Sequence, residues 1–162
     1  MKPLVWIKDV DRKFYRERLE RFLPAAIVDI HTHVWRSRDF PRVVRQDART
    51  VSWPSRVARD NPIEDLRDAY RLMLPGKAVT PLIFATLPAG GNLHRQNAYV
   101  ARCARRAHVP ALIFSDPAWS AAELERRILA GGFLGAKSYL SLAPAYLPAR
   151  EIRIFDFLPP PQ

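Results

Sequence analysis

Two histidines one residue apart, His31 and His33, close the segment Val28-Asp29-Ile30-His31-Thr32-His33, which follows directly from the apolar run 25–30. On a β-strand, residues two apart project to the same side, with Cα atoms about 6–7 Å apart. Two imidazoles so placed can converge on one divalent cation. Neutral imidazole suits zinc first, with manganese and iron as alternatives, and a bound ion lowers the pKa of its water and polarises a carbonyl. Asp29 shares the parity of the pair, and we read it as a hydrogen-bond acceptor that orients a histidine or a loop amide rather than as a ligand. Cys103 is the single cysteine, so neither a disulfide framework nor a cysteine zinc cluster can form within the chain. Any metal must be held by histidine and carboxylate.

Lys137 is the second residue with a chemical case. It is one of five lysines among 26 basic residues, and it stands in the apolar stretch Phe133-Leu134-Gly135-Ala136-Lys137-Ser138-Tyr139. An ammonium there is costly to bury unless it is paired, modified or facing a cavity, and Gly135 on the same face leaves room for one. The alternative is a lysine that reaches to solvent from the strand end. His94 and His108, the remaining histidines, read as a surface helix residue and as a residue before a strand. Gly90-Gly91-Asn92 reads as a turn rather than an anion cradle.

Positioning these side chains requires alternating elements. The segment 9–23 places Val10, Phe14, Leu19, Phe22 and Leu23 among alternating charges, an amphipathic docking helix stopped before Pro24. Strands are expected over 25–30, 79–87, 109–115 and 133–139. Residues 35–60 form an irregular excursion. Helices follow Asn61-Pro62, Asn92 and the Ser120-x-x-Glu123 capping box, and they end at Pro75-Gly76, near His108 and at Gly131-Gly132. Strands apolar on both faces, alternating with helices at about 25–30 residue spacing, predict a parallel α/β arrangement. Four βα units are too few for a complete (β/α)₈ barrel of about 250 residues.

Composition removes other classes. The chain has 162 residues, 48% hydrophobic and 26% charged, which is a globular balance. No apolar run approaches the roughly 18 residues that cross a bilayer, and Asp9 interrupts any signal-peptide core, so a cytoplasmic protein is the expectation. The net charge of +10 raises a nucleic-acid partner. Its arginines, however, mostly alternate with acids, as in Arg16-Glu17-Arg18-Leu19-Glu20-Arg21. Only Arg36, Arg38, Arg42, Arg45 and Arg49, near Trp35, Phe40 and Trp53, approach a stripe, and no recognised nucleic-acid motif accompanies them.

The motifs IVDIHTHVW, NAYVARCARR, WSAAELERRILAGGFLGAKSYL and FDFLPP together resemble the amino-terminal half of a metal-dependent hydrolase of the amidohydrolase superfamily, in its amidohydrolase-2, aminocarboxymuconate-semialdehyde decarboxylase-like branch. The likeness spans residues 25–158, with 1–24 as the docking helix and 159–162 as a proline-rich end. It implies the first four strands of a TIM (β/α)₈ barrel, a metal on His31 and His33, and a lysine, Lys137, that ends the fourth strand near substrate or is carboxylated between two metals. It also implies further histidines after the fifth and sixth strands and an aspartate after the eighth, which have no counterpart in these residues. The expected partner is a small molecule, with self-association possible through the edges of an incomplete sheet. The alternatives are a catalytically inactive chain that acts through association or weak metal binding, and a basic nucleic-acid-binding module.

Overall fold

The computed structural model describes residues 6–40, 49, 57–86 and 91–160. Four strands, β1 (Ala26–His33), β2 (Ala78–Phe84), β3 (Leu112–Phe114) and β4 (Gly135–Lys137), alternate with three helices, α2 (Ile63–Met73), α3 (Leu93–Ala107) and α4 (Ala121–Gly131). A further helix, α1 (Asp9–Phe14), precedes them and continues into a π turn over Tyr15–Leu19. The fold is mixed α/β. β1 runs parallel to β2 and β3 parallel to β4, and a lone parallel bridge between Ile83 and Ala111 connects the two pairs.

Helix ends are set by local chemistry. Asn92 accepts the Arg95 amide at 3.0 Å and the Ser120 hydroxyl accepts that of Glu123 at 3.2 Å, each satisfying a donor that the first turn leaves open. Gly132 ends α4 at φ 68°, in the left-handed region that a side chain would strain. α3 is the helix most enclosed by the core: Leu93, Tyr99, Val100, Cys103, Ala104 and Ala107 are buried against Ile83, Ile113 and Phe114.

The strand limits differ from the sequence expectation. β1 ends in the two histidines, and β2 stays alongside, pairing Thr32 with Ile83 and His33 with Phe84. The register shifts between Asp29 and Thr32, where β1 carries one residue more than β2. β3 and β4 keep only three residues each. Pro110 has no amide to extend β3 backwards, and Asp116-Pro117 turns the chain away after it.

The leading helix docks, but not by the expected apolar face. Tyr15 is its buried residue, and its hydroxyl donates to the Pro75 carbonyl at 2.6 Å. Lys77 ties the same segment to the start of β2 through the carbonyls of Glu20 and Leu23. Val10, Phe14 and Phe22 are left exposed. The π segment begins after Phe14, so Leu19, Phe22 and Leu23 do not continue the face of Val10 and Phe14 at the 3.6-residue period.

Read from the sequence as the first four strands of a barrel, the chain would leave Phe84, Leu112 and Phe114 without an opposite wall. Instead Phe84 and Phe114 are buried to 1% exposure. Tyr139 stacks on Phe114 with ring centroids 4.9 Å apart, while His31 and His33 pack their rings at 5.3 and 4.5 Å from Phe84. Polar aromatic side chains at the strand ends therefore cap this surface. On β1, by contrast, Val28 and Ile30 are 65% and 72% exposed.

Candidate functional site

His31, His33 and Lys137 come together around one ring. His31 and His33 have centroids 5.4 Å apart, both touch Phe84, and the Lys137 ammonium sits 4.9 Å over the same phenyl face and 5.2 Å from the Tyr139 centroid. An ammonium over aromatic faces is attracted by the ring quadrupole. Lys137 is half-buried and turned onto these rings, so its charge is directed at the histidine cluster.

His33 is the better fixed of the pair. Its Nδ1 lies 2.9 Å from the Ala85 carbonyl, and its Nε2 lies 3.2 Å from the Tyr139 hydroxyl. A carbonyl can only accept, so Nδ1 carries the proton and Nε2 presents its lone pair. Burial pushes the His33 pKa down to about 4; the neighbouring His31 and Lys137 push the same way, against the hydrogen bond to Ala85. The imidazole is thus neutral around pH 7, the form that binds metals. Asn61 donates to the His33 carbonyl at 2.8 Å and holds the backbone there.

Asp29 takes the orienting part expected of it. One carboxylate oxygen accepts the His31 amide at 3.1 Å and the other accepts the Tyr70 hydroxyl at 2.9 Å. Burial, followed by the Asp29 carboxylate, raises the Tyr70 pKa, so this phenol stays a donor. Burial likewise raises that of Tyr139.

These groups border a cavity of about 870 Å³ walled by Trp35, Leu66, Tyr70, Met73, Phe114 and Tyr139. Its size falls within the range of small-molecule sites, which are mostly apolar with a few convergent polar groups. Lys137 is not in its wall, and reaches the site only through Phe84 and Tyr139.

The ring centroids of His31 and His33 are 5.4 Å apart. For zinc bound at about 2.0–2.1 Å, two tetrahedrally disposed imidazoles have centroids ~5.2 Å apart, close to the distance seen here. The carbonyl-anchored Nδ1 of His33 is the outer-shell arrangement that orients a ligating imidazole. Among the described residues no group of three or more histidine, cysteine, aspartate or glutamate side chains is placed to hold an ion. Remaining positions would fall to water or to groups from elsewhere.

The other sequence candidates lie apart from this site. His94 is exposed, stacks on Trp119 at 6.0 Å and meets Arg127 at 3.1 Å, a tie between α3 and α4. His108 caps α3 at φ 53°. Of the arginine stripe, Arg42 and Arg45, with Trp53, fall outside the described residues, Arg36 lies over the Tyr99 ring, and Arg49 donates to the carbonyls of Ala143, Pro144 and Ala145. Gly90 and Leu87, at the β2 end, also fall outside the described residues.

Tyr139, Tyr70, Asn61 and Phe84 were not read as site residues from the sequence. Tyr139 alone carried a signal, lying two residues beyond Lys137. No family model, curated protein or solved structure matches this chain. Among the described residues no helix is long and apolar enough to cross a membrane.

Proposed function

We propose that the chain is the metal-anchoring part of an enzyme of the metal-dependent hydrolase type, a hydrolase or related lyase of amidohydrolase-like descent, with His31 and His33 as ligands and zinc as the first choice. One observation carries this reading: a pair of imidazoles at tetrahedral spacing opens on an 870 Å³ cavity, and one of them is locked by a backbone carbonyl into the tautomer that offers Nε2. A bound divalent ion would supply an activated water and polarise a carbonyl or carboxylate. The chain's own residues do the rest. Ala85 and Asn61 fix His33, Asp29 holds the His31 backbone, and Lys137 places positive charge beside the pair, suited to an anionic small molecule. The parallel strands with intervening helices accord with the first four strands of a (β/α)₈ barrel, whose chemistry collects at the carboxyl ends of its strands.

Metal content tests it. The purified chain should bind about one zinc ion weakly, since two imidazoles leave a tetrahedral ion half supplied by water. His33→Ala should weaken that binding at least tenfold, on the order seen for lost ligand interactions. Unchanged affinity or stoichiometry in the variant removes the pair from the site.

A second reading, a chain acting through association without catalysis, is favoured by a separate observation. β1 pairs on one side only among the described residues, and Val28 and Ile30 beside its open edge are largely exposed. Such an edge invites another strand.

A further inference from the structure

The lone pair that would bind a metal already has a partner in this structure. Nδ1 of His33 donates to the Ala85 carbonyl, so the Tyr139 hydroxyl, 3.2 Å from Nε2, must be the donor to that nitrogen. Little freedom is left to the phenol. Its ring lies nearly flat on Phe114, at 4.9 Å and 13°, and the Lys137 ammonium stands 5.2 Å from its centroid.

A bond from an imidazole nitrogen to zinc runs about 2.0–2.1 Å along the lone pair. The hydroxyl oxygen lies 3.2 Å from the same nitrogen, so an ion on that lone pair would crowd it where it now stands. Ion and hydroxyl cannot both be there. We infer that Tyr139 is a gate on His33: its hydroxyl holds Nε2 in the metal-free chain and must turn away before a divalent cation can bind. The inference rests on the metal-binding reading of His31 and His33. A phenol whose proton serves His33 is a competitor of the ion and not a third ligand. Tyr139 is therefore a positioning residue that sets how readily metal is taken up. It keeps the imidazole oriented and the cavity wall closed until metal arrives.

Zinc affinity of the full chain and of Tyr139→Phe, measured by competition with a chromophoric chelator, tests the gate. Phenylalanine keeps the stack on Phe114 and removes only the hydroxyl, so the variant should bind zinc roughly three- to tenfold more tightly, the worth of one net hydrogen bond. Equal or weaker binding by the variant, with zinc still bound by the wild type, overturns the gate and leaves the metal site standing. No binding by either chain overturns both. A measurement on the unaltered chain decides the matter if the variant does not fold. In nuclear magnetic resonance of the metal-free protein, His33 Nε2 should show the shift of a hydrogen-bonded acceptor and the Tyr139 hydroxyl proton should be protected from exchange. Zinc should abolish that protection, and its persistence in the zinc-loaded chain overturns the gate.

Discussion

β3, in the pair β3–β4, and β1, in the pair β1–β2, invert the usual relation between strand length and burial. β3 has three residues, yet Ile113 and Phe114 are exposed by no more than 2%; β1 has eight, and Val28 and Ile30 are mostly in solvent. The short pair is held from outside its own ladder. The Asn97 side chain on α3 donates to the Phe114 carbonyl at 2.9 Å and accepts the Phe114 amide at 2.8 Å, acting as a strand partner fused to a helix. The long pair has its own ladder and further side-chain ties, from Asn61 to the His33 carbonyl and from Thr32 to the Leu82 carbonyl, and its last residues carry the imidazoles. On the open side Val28 and Ile30 are exposed along β1, and the imidazoles stand at its carboxyl end beside the cavity.

The sharpest way to break this comparison is to remove the clamp. Asn97→Ala leaves a buried amide and a buried carbonyl of Phe114 without partners, which should cost about 2–4 kcal/mol. Urea denaturation should show a large fall in midpoint at unchanged slope. A loss below about 0.5 kcal/mol would mean that β3 is held by its ladder with β4 after all, and the contrast between the two pairs would disappear.

Proton linkage at His33 gives a smaller effect on the open side. With metal removed by chelator, the folded-state pKa of about 4 lies below the unfolded value of 6.5. The unfolded chain therefore takes up a proton that the folded chain refuses. Stability from this group is intact above about pH 6.5, falls as pH drops toward 4, and is lost below that. The full shift corresponds to about 3 kcal/mol, and because the ring is partly open to solvent we expect about 1–2 kcal/mol. The fall between those pH values should be smaller by that amount in His33→Gln. A variant with the wild-type pH dependence would place the linkage elsewhere.

Local chemistry was legible in the sequence and distant pairing was not. The caps at Asn92 and Ser120, the stop at Gly132 and the parallel sense of each strand pair follow from neighbouring residues and from the spacing of βα units. Asp29 as an orienting acceptor followed from its place beside the histidines. The bond from Tyr139 to His33 joins residues 106 apart in the chain, and the Asn97 clamp joins a helix to a strand 17 residues on. Neither leaves a periodic trace. The docking helix failed as an amphipathic reading because its π segment from Tyr15 breaks the 3.6-residue period, and it docks through Tyr15 instead. Phe84 and Phe114 were misjudged because an apolar strand end looks uncovered until the residues that cap it are known.

The smallest effect on stability should accompany a change in association. Ile30 is 72% exposed in the middle of β1, whose outer edge has no partner among the described residues. Replacing it with lysine buries no charge and removes no core contact, so Ile30→Lys should alter stability by less than about 0.5 kcal/mol. A lysine on an open edge strand nonetheless hinders pairing with another strand. Long-range repulsion from the net charge of +10 opposes association at low salt and is screened at high salt, where a Debye length is only a few ångströms. The wild-type chain should therefore sediment as dimers or larger species in high salt, and Ile30→Lys should shift that equilibrium toward monomer by about tenfold or more. A wild-type chain that is monomeric at both salt concentrations, with a cooperative thermal transition, would show that β1 tolerates its exposed edge. The open side would then differ from the clamped side in chemistry but not in its need for a partner.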